Sequence, residues 1–370
     1  MIIRLLTQAD VPEHNKVSSQ AFVYPCQVND PSSVLPCPKV LGAFDDDGKT
    51  LLADFELHER RCRYDGGLLT CAAIGGVAAK PEHRGKGAVT ALFRHLFRQA
   101  NYDISILYPF SEPYYRRLGY ERVGYSLCAT VPFACFSHIP RNQDAVLYEG
   151  GDPAALLAAY NRCAEGCHLS FVRDTAEAFP GDPYAAQRFT YLWQNRSFAT
   201  LSVDRAKSTV FVQELYFDSP ESLLGIVGFL RNFEANQTRV CFENLPADTP
   251  LLRYVEDMKQ CDVRLRPTGA ARLLRPEAVL KAHRYPPRDG AFTLAIADET
   301  YRVTHTQRGV AVEKHTPLPP DVTMDVGSAS QALLCGLTAP AYCPGLTIHN
   351  PSSDFFPSFP PKTAFFTDNL

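Results

Sequence analysis

Residues 74–97, IGGVAAKPEHRGKGAVTALFRHLF, predict a strand, a glycine-rich turn and a helix in direct succession. Residues 74–79 are a short apolar run of strand length, and residues 80–87 are rich in proline, glycine and charge. Residues 88–97 carry apolar side chains at the i, i+3, i+4, i+7 and i+8 positions of an amphipathic helix. A polar turn therefore lies between a strand and the first turn of a helix.

This turn has the properties of an anion-binding site. The first backbone N–H groups of a helix have no partner within the helix, and the helix dipole gives that end partial positive charge. Gly85 and Gly87 have no Cβ atoms to keep a pyrophosphate from those N–H groups, and Arg84 and Lys86 add positive charge. A solvated basic turn is the alternative, since glycine-rich turns often match such patterns by chance. Two other phosphate-binding patterns do not match. GxxxxGKS/T requires serine or threonine after the lysine, but Gly87 follows Lys86. GxGxxG requires a third glycine, but Thr90 stands at that position.

The turn resembles the acetyl-CoA pyrophosphate loop of the GNAT N-acetyltransferases, which follows an apolar strand and has the pattern R-x-x-G-x-G/A. Residues 84–89, RGKGAV, depart from it only at Val89. That departure is typical of the enhanced-intracellular-survival (Eis) type acetyltransferases, in which larger apolar residues follow H-R-x-x-G. Residues 83–87, HRGKG, fit this form. The resemblance implies an acetyl-CoA-dependent N-acetyltransferase.

Composition narrows the class of protein. The 370 residues suffice for two or three domains, and 45% apolar with 21% charged residues is ordinary for a globular protein. A net charge of -3 without a basic tail argues against a nucleic-acid partner. No stretch approaches the ~18 apolar residues of a membrane span, and the N-terminus has no signal-peptide core. We therefore expect a cytoplasmic protein with no membrane span, whose twelve scattered cysteines are reduced thiols.

A metal site is not expected. Cys163, Cys167 and His168 have the residue types of a metal site. They lie on a predicted helix without a second ligand cluster, so surface and core roles are favoured for them.

A second motif follows the central helix. Residues 103–108, DISILY, predict a buried strand, and a short helix follows with Ser111 as its cap and Gly119 at its end. Residues 120–132 are expected to return as one strand. Residues 115–120, YRRLGY, resemble the family signature Y-x-R-x-G-Y/F, whose first tyrosine lies by the CoA sulfur and protonates the leaving thiolate.

The resemblance therefore implies that Tyr115 is the catalytic acid. The alternative is that Tyr115 only anchors the short helix, a core role that we expect for Tyr120. A phenol with a pKa near ~10 can give a proton to a leaving thiolate at low cost.

The expected acetyl-CoA site follows from the chemistry and the resemblance together. Negative charge develops on the thioester carbonyl, and a backbone N–H near Val77 or Ala79 can stabilise it. Splayed strands at 74–79 and 103–108 would open a slot for the pantetheine arm. The acetyl-CoA contacts that we predict are Val77, Ala78, Ala79, Arg84, Gly85, Lys86, Gly87, Ala88, Val89, Thr90, Ser111 and Glu112.

The strand–helix–strand order recurs later in the chain. Residues 208–217, 220–232 and 238–242 predict these elements, but the intervening loop DSPE lacks arginine and glycine and is acidic. Its charge would repel a pyrophosphate, so we expect a second GNAT-like domain without an acetyl-CoA site. Residues 291–314 predict a β-meander. In type and position this last part resembles the sterol-carrier-protein-like domain of the Eis branch.

The predicted fold class is therefore α/β (α+β), with tandem GNAT folds, mixed sheets and a sterol-carrier-protein-like domain. We predict a catalytic GNAT domain at 1–131, a degenerate GNAT-like domain at 132–275 and the third domain at 276–370. In the Eis branch the terminal α-carboxylate enters the active site as the general base, which implies that role for Leu370. A free α-carboxyl group has a pKa of ~3.5, which is low for a general base, so this role would need burial of the carboxylate or a water relay. Docking of the tail on the third domain and His83 as the base are the alternatives.

The resemblance implies direct transfer of an acetyl group in a ternary complex, to an aminoglycoside, a polyamine-like amine or a lysine amine. It also implies a homo-oligomer, specifically a hexamer. Two other classes of function stay open. One is a non-catalytic sensor that binds acyl-CoA, and the other is an apolar-ligand-binding protein that uses the third domain.

Overall fold

The computed structural model describes residues 1–99, 101–175, 179 and 181–368. Within them the chain forms nineteen strands and nine α-helices. The strands are β1 (Ile2–Leu5), β2 (Val40–Phe44), β3 (Leu51–Tyr64), β4 (Gly67–Ala79), β5 (Ile104–Leu107), β6 (Glu121–Arg122), β7 (Tyr125–Pro132), β8 (Ala145–Tyr148), β9 (Phe189–Trp193), β10 (Ser197–Asp204), β11 (Thr209–Phe217), β12 (Arg239–Pro246), β13 (Asp262–Pro267), β14 (Ala270–Leu273), β15 (Gly290–Ile296), β16 (Glu299–Thr306), β17 (Gly309–Lys314), β18 (Val322–Met324) and β19 (Leu346–Ile348). The helices are α1 (Val11–Phe22), α2 (Ala88–Arg98), α3 (Glu112–Arg116), α4 (Ala154–Cys163), α5 (Pro183–Ala186), α6 (Pro220–Leu230), α7 (Pro276–Ala282), α8 (Val326–Cys335) and α9 (Phe355–Ser358).

Two seven-stranded sheets have matching topologies. The first has the order β1-β2-β3-β4-β5-β14-β6, and the second has the order β8-β9-β10-β11-β12-β7-β13. In each, one strand pair is parallel, β4–β5 in the first sheet and β11–β12 in the second. A helix joins each parallel pair, α2 in the first case and α6 in the second. The matching topologies confirm the predicted fold class of tandem GNAT folds with mixed sheets.

The prediction of a single strand at 120–132 is wrong in one respect. It divides at residues 123–124, so that β6 stays in the first sheet and β7 enters the second. The sixth position of the first sheet is filled by β14, from much later in the chain. Backbone bonds fix both crossing points, since Val123 donates to the Gly269 carbonyl and Thr268 donates to the Gly124 carbonyl. Strand propensity gives no information about which sheet a strand joins, so the sequence alone could not predict the exchange.

The described residues form two compact units. The first unit comprises 1–123 and 269–361, and the second comprises 124–268 and 362–368. A five-stranded sheet in the first unit has the order β17-β16-β15-β18-β19. Helix α8 joins the first sheet through β14, where the backbone N–H of Leu273 donates to the Ser330 hydroxyl at 2.9 Å. The division into three functional domains remains a prediction.

The central helix packs as its periodicity predicts. Leu92, Phe93 and Leu96 are buried in the core of the first sheet. Phe93 contacts Phe55 of β3 at a ring-centroid distance of 5.2 Å. Burying a large apolar side chain contributes about 1.5–3 kcal/mol, so this face of α2 fixes the helix against the sheet.

Two observations bear on the class of protein. No helix in the described part of the chain has both the length and the apolar character needed to cross a bilayer. All twelve cysteines are free thiols in the structure.

Candidate active site

A β-bulge interrupts β4 in the middle of the first sheet. Parallel pairing of β4 with β5 ends at Ile74, which lies opposite Leu107. On the other edge, Gly76 and Val77 together oppose the single residue Phe55 of β3. Gly76 has a φ of +55°, a conformation that favours glycine. A bulge leaves its extra residue outside the ladder, and this bulge lies directly after the point where β4 parts from β5.

The glycine turn has an open approach to the start of α2. Gly85 and Gly87 have φ values of +79° and +81°, and a Cβ at either position would meet no atom within 4 Å. Gly87 is the N-cap of α2 and has no side chain to bond the first turn. Arg84 and Lys86 are exposed, and the Lys86 ammonium donates to His83 Nδ1 at 3.0 Å. Uncapped N–H groups, open space and two cations fit a pyrophosphate.

The other predicted acetyl-CoA contacts lie along the same path. Ala78 and Ala79 follow the bulge and pair with Asp54 and Ala53 of β3. Ala88 is buried at the start of α2, whereas Val89 and Thr90 are half-buried in its first turn.

Helix α3 begins at the residues that the sequence indicates. Ser111 is the N-cap, although its side chain makes no capping bond. Glu112 accepts from Arg122, whose Nη2 lies 2.8 Å from Glu112 Oε2, and from Arg116 at 3.3 Å. The Glu112 carboxylate is therefore engaged with two arginines at the start of α3.

Tyr115 lies deep in the first unit. Only 2% of its surface is exposed, and its ring packs edge-on against Phe93 of α2 at 5.9 Å and against Phe110 at 5.4 Å. Burial, with a smaller contribution from Tyr114, raises the pKa of Tyr115 above its usual value. Among the described residues its hydroxyl has no hydrogen-bond partner. A protonated phenol without a competing acceptor is suited to act as an acid.

Tyr120 has the expected core role. It is buried, and its hydroxyl is hydrogen-bonded to Ser105 at 2.7 Å. The two tyrosines of the motif thus have different surroundings.

The start of α6 in the second sheet differs from the start of α2. The Ser219 hydroxyl caps this helix by accepting from the backbone N–H of Ser222. Asp218 and Glu221 flank the cap, and the Arg196 guanidinium pairs with both of them. The first turn of α6 is therefore occupied and acidic, which supports the expectation that this copy does not bind acetyl-CoA.

The C-terminal segment is anchored in the second unit. The Arg173 guanidinium pairs with Asp368 at 2.7 Å and with the buried Glu214. Thr367 donates to Glu214 at 2.7 Å, and the Phe365 backbone N–H donates to a carbonyl at 2.9 Å. Leu370 lies outside the described residues.

Glu56 and His58 on β3 were not predicted from the sequence. The Glu56 carboxylate lies beside the bulge, since a Cβ at Gly76 would fall 2.4 Å from Glu56 Oε1. His58 Nε2 lies 3.2 Å from Glu56 Oε2. Residues 53–58, ADFELH, alternate apolar and polar side chains, and this period-two pattern could have indicated a polar strand face.

Comparisons with known proteins agree with this geometry. The acetyltransferase (GNAT) domain family matches residues 2–123. Comparison with curated protein sequences gives no match.

Three similar solved structures span the whole chain. Eis1 from Mycobacterium abscessus has 20% identity and a TM-score of 0.81, covering 100% of both chains. A GCN5-related N-acetyltransferase from Anabaena variabilis has 15% identity and a TM-score of 0.81, also covering 100% of both chains. A GCN5-related N-acetyltransferase from Kribbella flavida has 19% identity and a TM-score of 0.81, and the match covers 100% of this chain and 98% of the Kribbella chain.

At these identities the solved structures establish a shared fold. The family match covers residues 2–123, the part of the chain that contains the glycine turn, the bulge and Tyr115. Residues 2–123 are thus a GNAT acetyltransferase domain, in a chain that has the fold of Eis1 and of GCN5-related N-acetyltransferases.

Proposed function

We propose that the protein transfers an acetyl group from acetyl-CoA to a primary amine in a ternary complex. The observation that carries the proposal is the bulge at Gly76 and Val77, in the strand that leads into the open glycine turn and packs in the same core as the buried Tyr115. Mass spectrometry of amines incubated with acetyl-CoA and the protein tests it. We expect a singly acetylated aminoglycoside, polyamine or lysine peptide, and an unmodified panel would contradict the proposal.

Each part of the site has a proposed role. Residues 84–90 hold the pyrophosphate through the exposed N–H groups of α2 and the Arg84 and Lys86 cations. Residues 77–79 pair with the pantetheine arm, and Ser111 and Glu112 border it. Tyr115 gives its proton to the sulfur. Acetyl-CoA supplies an activated acetyl thioester when it is bound.

The remaining proposals derive from the Eis-type resemblance. They are a hexamer, a cytoplasmic location, no metal cofactor, and a sterol-carrier-protein-like segment at 276–370. Sedimentation of the purified protein tests the hexamer directly.

Gly87→Ala is expected to weaken acetyl-CoA binding by about tenfold. A left-handed conformation costs a non-glycine residue about 1–2 kcal/mol, and relief of that strain turns the first N–H groups of α2 away from the phosphates. Gly151→Ala is the matched control, because Gly151 has a φ of +97° with open space around it and lies outside the GNAT domain at 2–123. Calorimetric titration should show the loss in G87A alone, and equal affinities would contradict a phosphate role for the turn.

Loss of Leu370, or a tag appended to it, is expected to lower turnover while acetyl-CoA affinity is unchanged. The reason is the role that the Eis-type resemblance implies for the terminal α-carboxylate, as the general base that receives the amine's proton. A rival candidate for that base lies on β3, and unchanged rates after loss of Leu370 would favour it. Steady-state rates of tagged and untagged protein test this, with acetyl-CoA affinity as the control. Equal rates would remove Leu370 from the site.

A further inference from the structure

Glu56 and His58 form a hydrogen-bonded pair on one face of β3. Residues two apart on a strand project to the same face, and Glu56 Oε2 lies 3.2 Å from His58 Nε2. Both side chains are partly accessible, at 21% for Glu56 and 17% for His58. The pair is therefore reachable from solvent and able to accept and pass on a proton.

This pair lies on the opposite face of the sheet from Tyr115. Phe55, which alternates with Glu56 along β3, contacts Phe93 of α2 in the core that contains Tyr115. Asp54 shares the face of Glu56 and is hydrogen-bonded at 2.8 Å to His14 of α1. The carboxylate therefore faces the bulge from the α1 side, whereas the phenol lies on the α2 side.

The second sheet provides an internal comparison. Leu57 pairs with Ile74, the last residue of β4 to pair with β5, and Leu201 pairs with Val212 at the matching point of the second sheet. The residues that flank Leu201 take the places of Glu56 and His58, and they are Thr200 and Ser202.

Both of these residues offer neutral hydroxyls in place of a carboxylate and an imidazole. Thr200 is hydrogen-bonded to Thr190, and Ser202 accepts from Gln213. The nearby Glu214 is already paired with Arg173. At these matching positions, the sheet with the basic glycine turn has the carboxylate–imidazole pair, and the other sheet has two hydroxyls.

We propose that Glu56, hydrogen-bonded to His58, is the base that takes the proton from the attacking amine. The proposal rests on the proposed N-acetyltransferase function. The amine nitrogen bonds to the thioester carbonyl carbon as its proton passes to the Glu56 carboxylate. The carbon–sulfur bond then breaks, and the sulfur takes the Tyr115 proton. The products are an N-acetyl amine and free CoA thiol. The amine proton leaves through His58 to solvent, and the Tyr115 phenolate takes a proton back from solvent before the next turnover.

Other titratable groups surround this carboxylate and enter any pH profile. Asp54, His58 and Cys37 interact with Glu56 directly, whereas His14 on α1 and Lys80 after β4 act on Asp54. Burial raises the pKa of Asp54, and the Glu56 charge adds to that effect. Cys37, Glu56 and His58 can bring one ligand atom each within 4.8 Å of one another, so the assay must separate a base from a metal ligand.

Glu56→Gln is expected to lower kcat/KM by about 100-fold for an alkylamine acceptor, within the range of general-base catalysis. Acetyl-CoA affinity and the melting temperature should match those of the wild-type protein. The loss should shrink to about tenfold or less with hydroxylamine, which is neutral at neutral pH and needs less help from a base. Glu56→Asp should restore part of the rate. Glu59→Gln, which changes a carboxylate elsewhere on β3, is the matched control and should keep the wild-type rate.

The outcomes distinguish the two proposals. A wild-type protein that acetylates no amine would overturn the proposed function itself. An active wild type with an equally active E56Q, or an equal loss with both acceptors, would overturn Glu56 as the base. Loss of wild-type activity in EDTA, with recovery on adding Zn²⁺, would also overturn it, because the cluster would then act as a metal site. If Leu370 removal abolishes the fall in kcat/KM at low pH and E56Q keeps that fall, the base is the chain terminus.

Discussion

Tyr115→Phe is expected to lower kcat by about 100-fold to 10,000-fold, the usual contribution of a positioned acid or base. The substitution removes a single oxygen and leaves the ring contacts with Phe93 and Phe110 in place. Acetyl-CoA affinity should therefore stay within about twofold of the wild-type value. Burial raises the pKa of Tyr115 above its usual value, so the hydroxyl stays protonated across the neutral range. Steady-state kinetics and calorimetric titration measure the two quantities.

Tyr120→Phe is the matched control for this experiment. The Tyr120 hydroxyl is bonded to Ser105 in the core, so its loss should cost about 1 kcal/mol of stability and leave kcat unchanged. Equal kcat values for wild type and Y115F would contradict the acid role. If neither protein released thiol although both bound acetyl-CoA, the result would favour a non-catalytic acyl-CoA sensor.

Arg173→Ala is expected to lower the free energy of unfolding of the second unit by about 3–5 kcal/mol. Truncation leaves the Glu214 carboxylate buried without its cation, and the side chains of Arg173 and Glu214 are only 4% and 5% exposed. Burial opposes ionisation of Glu214, but the Arg173 guanidinium and the Thr367 hydroxyl hold the pKa of Glu214 below its usual value. Asp368 also loses its ion pair with Arg173, so the C-terminal segment should become more sensitive to carboxypeptidase.

Arg162→Ala is the control for the charge change. Arg162 pairs with Asp218 near the surface, where such pairs contribute about 0–1 kcal/mol. Urea unfolding of both variants, followed by tryptophan fluorescence of the buried Trp193, reports on the second unit. A loss in R173A no larger than that in R162A would show that the buried network does not hold this unit together.

The elements around the glycine turn could be predicted because each has a strong local signal. Periodicity predicted a helix at 88–97, and α2 runs over Ala88–Arg98. The signals for α3 were similarly local, with Ser111 as its cap and Gly119 in a left-handed conformation after its end. A helix was likewise predicted at 220–232, and α6 runs over Pro220–Leu230 with Ser219 as its cap.

Features that depend on distant parts of the chain could not be predicted in this way. Both β7 and β14 have ordinary strand patterns, and only the packed units determine which sheet each one joins. The significance of Glu56 depends on the bulge at Gly76, which arises from the β3–β4 register and not from either strand alone. Anchoring of the tail depends on Arg173, which is nearly 200 residues before Asp368 in the chain.

Release of free thiol from acetyl-CoA by the untagged protein tests the central claim most directly. The measurement covers aminoglycosides, polyamines and lysine peptides, with Y115F as the blank. We expect amine-dependent release with one class of acceptor, and a rate near the blank without an amine. Acetyl-CoA that binds with normal affinity but releases no thiol with any amine would contradict the assignment of this site to acetyl transfer.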